Sequence, residues 1–167
     1  MNVGIIADTH DRLEMIIRAA NVFNDEGVDL VLHAGDYVSP FTADAFKALK
    51  AKIIGVFGNN DGDKDFLRKR YHTIGAEIKD SFALVDVNGM KIGLLHGHDE
   101  LLLEALGSSE ALDVLVYGHT HSASITRKGR VLIINSGDAS GYLSGKATVG
   151  ILDTSTKECR LIELARS

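Results

Sequence analysis

The chain reads as an α/β protein that opens with alternating strands and helices and ends in antiparallel hairpins. Three observations carry this reading. Short apolar runs recur at residues 3–7, 28–33 and 53–57 with helical patterns between them, as in strands buried on both faces. Asn88-Gly89, the strongest two-residue hairpin signal, joins two further runs in the second half. Five strand-like runs are each followed by Asp, His or Asn, most beside a glycine.

The elements follow in order. After the first strand, Asp11 opens a helix. Leu13, Ile16, Ile17, Ala20 and Phe23 recur at helical spacing and the pattern stops before Gly27. Residues 41–49 read as a helix entered through Ser39-Pro40, and residues 63–71 as a short charged helix. Strand, helix and strand with short links imply parallel pairing through right-handed crossovers. Strands are then expected at 83–87 and 90–96, a helix at 101–111 interrupted near Gly107, and a strand at 112–117. Residues 124–127 and 131–134 flank a hairpin tip at Lys128-Gly129, and 147–152 and 159–164 pair across Ser155-Thr156-Lys157. With no repeat, low-complexity segment or linker, one domain over 1–167 is expected.

Composition narrows the class. Hydrophobic residues make up 45% and charged residues 25%, the ordinary mixture of a chain that buries its own core. A net charge of -5 without a long basic run argues against nucleic acid as a dedicated partner. Arg68-Lys69-Arg70 reads as a solvated helix face and Arg127-Lys128 as part of a hairpin tip. The single cysteine, Cys159, excludes an intrachain disulfide. MNVGIIADTHD lacks the basic start of a signal peptide, and no apolar stretch approaches the ~18 residues of a membrane span. A soluble cytoplasmic protein is expected.

The strand ends carry the chemistry. They read Asp8-Thr9-His10, Gly35-Asp36, Gly58-Asn59-Asn60-Asp61, His96-Gly97-His98 and Gly118-His119-Thr120-His121. If the five strands share a sheet, their carboxyl ends converge on one spot, where α/β sheets bind ligands. Asp8, His10, Asp36, Asn59, His96, His119 and His121 are seven candidate ligands, none a thiolate. Mixed imidazole and carboxylate donors suit Mn, Fe, Co, Ni or Zn better than Mg or Ca. Seven donors exceed the needs of one ion and suit two, about 3.5–4 Å apart and sharing a bridging carboxylate. Taken singly, His10 fits a helix-capping neighbour and His96 a core imidazole; five strand ends together do not fit chance. His33 is expected as a core or orienting imidazole beside Asp36, and His72 as a surface residue.

In this order the five motifs resemble those of the calcineurin-like metallophosphoesterase superfamily, and size and motif order are similar to its small prokaryotic phosphodiesterase branch. The likeness spans residues 8–121 and continues at 135–137 and 150–153. It implies a four-layer α/β/β/α sandwich, two mixed sheets with helices on the outer faces and the site at the sheet edges. It also implies that Asp8, His10, Asp36 and His121 hold one metal, and that Asp36 bridges to a second completed by Asn59, His96 and His119. The implied activity is hydrolysis of small phosphodiesters by a hydroxide bridging two divalent ions, with Mn the first expectation and Ni, Fe, Co or Zn behind it. Homo-oligomers are common among such proteins.

Two departures stand out. Many members carry His after the Gly-Asn of the third motif and assign it protonation of the leaving group; here that position is Asn60. An amide donates a hydrogen bond to a phosphoryl oxygen but is no general acid, so His98 or solvent is expected to take that role. Asn135-Ser136-Gly137 lacks the proline that relatives often place in its middle, which leaves the stiffness of that loop open. A phosphomonoesterase and a retromer-like binding scaffold are the alternatives. The filled ligand positions weigh against the scaffold. The small size, without an inserted cap, favours an open site for small substrates.

Overall fold

The computed structural model describes residues 1–164. β1 (Asn2–Ile6), β2 (Leu30–His33) and β3 (Lys52–Val56) run parallel, with α1 (Leu13–Asp25) and a 3-10 helix (Pro40–Phe46) in the two crossovers. α2 (Lys64–His72) leads to β4 (Glu77–Lys79), which extends the sheet beside β3. β10 (Thr148–Asp153) and β11 (Glu158–Glu163) add antiparallel on the other side of β1. The second sheet is built from β5 (Phe82–Val87), β6 (Met90–Leu95), β7 (Val114–Tyr117), β8 (Ser124–Lys128) and β9 (Val131–Asn135), in the order β5-β6-β7-β9-β8. α3 (Glu100–Gly107) crosses between β6 and β7, which pair in parallel. Both sheets are mixed.

Side chains alternate faces along each strand, and this alternation sorts the apolar residues into three cores. Val3, Ile5, Leu30 and Leu32 meet Ile92, Leu94, Val114, Val116 and Ile134 between the sheets. Ile6 and Val31 point the other way, under Met15, Ile16, Phe23, Phe46, Leu67 and Tyr71. Leu95, Leu112, Leu115 and Val131 pack beneath Leu102, Leu103 and Leu106 of α3. The result is the expected α/β/β/α sandwich. Each fully buried aliphatic side chain contributes about 1.5–3 kcal/mol. Asp63 and Asp99 cap α2 and α3 by accepting the N–H of Phe66 and Leu102.

The structure corrects the sequence reading in five places. The five motif-bearing strands do not share a sheet: β1, β2 and β3 lie in one, β6 and β7 in the other, and their ends meet because the sheets stack. β4 was not expected; three residues are too short for a pattern, and its ladder comes from β3. Residues 41–49 give a 3-10 helix over Pro40–Phe46. There Ser39 accepts the N–H of Thr42 and Asp44 that of Lys47, and Ser39 Oγ accepts the Phe41 N–H. β2 starts at Leu30, because the Val28 N–H closes the end of α1 on the Phe23 carbonyl. α3 stops at Gly107, and Ser108 Oγ caps it on the Glu104 carbonyl.

Candidate metal centre

The loops that leave the strands hold unusual backbone. Asp8, His10, Asp36, His119 and His121 all have positive φ, between 40° and 65°. Non-glycine residues enter this left-handed region at about 1–3 kcal/mol each, so surrounding contacts must hold them there. The N–H of Asp8 donates to the Gly35 carbonyl and that of His10 to the Asp36 carbonyl, both at 3.1 Å. The His119 N–H donates to Asp8 Oδ2 at 3.0 Å. Asp61 accepts the N–H groups of Asp36 (3.1 Å), Val38 (2.8 Å) and Gly58 (2.7 Å). Two glycines let these loops close up. A Cβ on Gly58 would overlap Asp36 Oδ1, and one on Gly118 would stand 2.6 Å from Ala7 Cβ and 2.8 Å from Asp8 Oδ2.

The seven expected ligands come together. Asp8 Oδ1 lies 3.9 Å from His10 Nε2 and 3.7 Å from His121 Nε2. Asp36 Oδ2 lies 3.6 Å from His10 Nε2 and 3.4 Å from His96 Nε2. Donor atoms of Asp8, His10 and His121, and again of Asp8, Asp36 and His96, fall within 4.8 Å of one another. Asn59 Oδ1 is 2.9 Å from His96 Nε2, and the His119 ring is centred 5.0 Å from the His96 ring.

These donors fit cations. His96 Nδ1 lies 2.7 Å from the Ala34 carbonyl, which assigns the proton to that nitrogen. In the neutral ring Nε2 is then a lone pair, facing the oxygens of Asn59 and Asp36 with no proton between them. Asp8 Oδ1 and His10 Nε2 are buried without a hydrogen-bond partner among the described residues. Leaving such atoms unmatched is expensive, and a cation satisfies both.

Burial and mutual charge shift these groups in different directions. Burial pushes the Asp8 carboxyl up to about 7, against the pull of His96 and His121. Burial also raises Asp36, but His96 and the two Asn60 donors outweigh it and hold the carboxyl below the usual range. Burial lowers His10 and His119. At His96 burial is outweighed by the Asp36 carboxylate, which raises it.

Other expected residues take varied places. Asn60 donates its N–H to Asp36 Oδ1 at 2.9 Å and its side-chain amide to Asp36 Oδ2 at 2.7 Å. His98 is exposed at the rim, its ring 6.2 Å from that of His119. His33 is fully buried and stacks on Tyr37 at 3.8 Å, outside the donor cluster. Burial pushes it down to about 3, so it is neutral. Its Nδ1 accepts the Gly35 N–H at 3.1 Å. Its Nε2 lies 3.4 Å from Thr9 Oγ1, which in turn donates to the Asp36 carbonyl. His33 thus orients the Asp36 loop through backbone. Asn135 stiffens the loop that lacks proline: its amide donates to the Gly118 carbonyl and Thr120 Oγ1, and its Oδ1 accepts the Gly137 N–H.

The sequence reading gave no task to two residues. Asp61 closes the third motif, so the signal was present. Asp138 is buried 3.3 Å from His121 Nδ1 and lies in a small-residue loop with no pattern of its own. An open groove of about 680 Å³ runs from His119 and His121 past Leu143, Ser144 and Lys146.

The match to known proteins covers nearly the whole chain. Residues 1–157 match the calcineurin-like phosphoesterase superfamily domain. Phosphodiesterase MJ0936 of Methanocaldococcus jannaschii is 44% identical over 165 residues, 98% of this chain and 99% of that protein. The solved structure of an archaeal phosphodiesterase superposes at a TM-score of 0.94 with 43% identity, covering 98% of this chain and 100% of that one. Zinc-complexed Vps29 of Entamoeba histolytica shares the fold alone, at a TM-score of 0.71 and 19% identity over 99% of this chain and 100% of that one. No helix among the described residues is long and apolar enough to cross a membrane. Motif order, the stacked sheets and these matches converge: the chain belongs to the calcineurin-like phosphoesterase superfamily.

Proposed function

We propose that this protein is a metal-dependent phosphodiesterase that hydrolyses small phosphodiesters with two divalent transition-metal ions, acting as one domain over 1–167. The observation that carries the reading is Asp36 Oδ2, set between His10 Nε2 at 3.6 Å and His96 Nε2 at 3.4 Å, where one carboxylate would be shared by two ions. Asp8, His10, Asp36 and His121 would hold one ion; Asp36, Asn59, His96 and His119 would hold the other. Bound there, the ions supply water ionised near neutral pH and stabilise charge on phosphoryl oxygens. The imidazole-rich donor set favours a first-row transition metal, Mn, Ni, Fe, Co or Zn, over Mg, and the family likeness puts Mn first.

The chain's own groups do the rest. The Ala34 carbonyl fixes the His96 tautomer, and His33 and Thr9 set the Asp36 loop. One N–H of the Asn60 amide is engaged by Asp36 Oδ2, which leaves the second for a phosphoryl oxygen. His98, exposed at the rim, gives the leaving oxygen its proton. The groove beside His119 and His121 accommodates the second arm of a diester, which a monoester lacks. The relatives named phosphodiesterases support the same preference. A net charge of -5 fits a small-molecule substrate rather than a nucleic acid. A cytoplasmic setting fits the single cysteine. A retromer-like protein-binding scaffold is the second reading, and the filled donor positions weigh against it.

The test is hydrolysis of an aryl phosphodiester and the matching monoester by chelator-stripped protein, with Mn, Ni, Zn and Mg returned singly. Diester cleavage restored by Mn or Ni more than by Mg is expected. Metal uptake without turnover of either ester would favour the scaffold, and faster monoester cleavage the phosphomonoesterase.

A further inference from the structure

Asp138 is fully buried, and the two-ion reading leaves it without a task. Its Oδ1 accepts from Ser140 Oγ at 2.5 Å and the Gly141 N–H at 2.9 Å. Its Oδ2 accepts from the N–H groups of Leu143 (3.1 Å) and Ser144 (3.2 Å) and from Ser144 Oγ (3.3 Å). The same Oδ2 stands 3.3 Å from His121 Nδ1. That nitrogen is buried and makes no aligned hydrogen bond among the described residues. The opposite nitrogen of the ring, Nε2, faces Asp8 Oδ1 at 3.7 Å. An imidazole that offers one nitrogen to a cation carries its proton on the other, and a carboxylate facing that proton sets both tautomer and ring angle.

We infer that Asp138 is a positioning residue for His121, holding the ring in the Nδ1-protonated form and tying it to the loop of residues 138–146. The inference rests on the two-ion reading for its consequence. That loop supplies Leu143, Ser144 and Lys146 to the groove, so one buried carboxylate joins a metal donor to the groove wall. A disturbance of the loop then reaches the donor set through one oxygen atom.

The test compares Asp138→Asn with Ser144→Ala. The first keeps side-chain size but turns one acceptor oxygen of the carboxylate into an amide donor; the second removes the Ser144 Oγ bonds to Asp138 Oδ2 and to the Lys146 backbone and leaves the carboxylate in place. Two quantities are read. One is the His121 tautomer in metal-free protein at about pH 9, where imidazoles are neutral, from long-range proton–nitrogen NMR spectra. The other is zinc binding by calorimetry. The wild type and Ser144→Ala are expected to keep the proton on Nδ1 and bind two zinc equivalents alike. Asp138→Asn is expected to lose the single tautomer and to weaken one equivalent by about 10–100-fold while sparing the other. An unchanged tautomer with unchanged zinc binding in Asp138→Asn overturns the inference. Equal weakening by Ser144→Ala also overturns it and makes the effect one of loop folding. If the wild type takes up no zinc while Asp138→Asn still shifts the tautomer, the two-ion reading fails and the hold of Asp138 on His121 stands.

Discussion

Asp8 carries its charge where water does not reach. Unfolded, its carboxyl titrates near 3.8; folded, burial moves it to about 7. Between those values the folded state holds the extra proton, so in metal-free protein this group's contribution falls as pH rises from about 4 to about 7 and stays low above. His33 acts in the opposite sense. Its folded value of about 3 lies below the ordinary 6.5, so its contribution grows across that interval as pH rises. The two oppose each other in the wild type, and a substitution separates them. Chelator-stripped Asp8→Asn is expected to melt above the wild type at pH 8, with the gap closing towards pH 4. The amide still offers an acceptor to the His119 N–H, so that bond is kept. Equal melting temperatures at both pH values would remove burial of the charge as the cause. With metal present the order should reverse, since the variant loses an anionic donor. His119→Ala is expected to lower kcat by about 10²-fold or more, the ~2.7–4 kcal/mol of one lost electrostatic donor. Near-full activity with two ions bound would take His119 out of the ligand set.

At the scale of elements, the site belongs to the loops rather than to the strands that end in them. Five of its side chains stand on left-handed backbone, and Asp61 explains how one of these loops persists. Replacing Asp61 by Ala strips three N–H groups of their acceptor. A loss of about 3 kcal/mol or more is expected in urea unfolding, with weaker zinc binding beside it. A loss below about 1 kcal/mol would mean that other contacts hold the loop. Elements with a long apolar period, such as α1, were legible in the sequence to within two residues. β4 was not, because three residues joined by a ladder to β3 carry no period of their own. Apolar spacing does not distinguish the 3-10 helix from an ordinary one, because it does not reveal the tighter i→i+3 bonds at Ser39 and Asp44.

Over the whole molecule, the donor set straddles two sheets. Asp8 and Asp36 hang from β1 and β2, His96, His119 and His121 from β6 and β7. The core between the sheets therefore sets the distance between the two halves of the site. Leu94→Ala, in that core, is expected to cost about 2–5 kcal/mol and to weaken zinc binding at temperatures where the protein remains folded. Leu67→Ala, on the buried face of α2 in the outer core, should cost a similar amount while leaving zinc binding alone. Equal weakening by both would show that general stability, not sheet spacing, governs the site.

The sequence by itself determined the fold class and the candidate donors. Short continuous apolar runs, helical spacing and Asn88-Gly89 are local signals, and the residue types at five strand ends already suggest a nitrogen and oxygen site. Only the tertiary structure decided which strands share a sheet, that donor residues take left-handed backbone, and that Asp61 and Asp138 buttress them. The reason is range. A bond such as His119 N–H to Asp8 Oδ2 joins residues 111 positions apart. No local pattern encodes such a partner; it exists once both sheets have packed and brought the loops face to face.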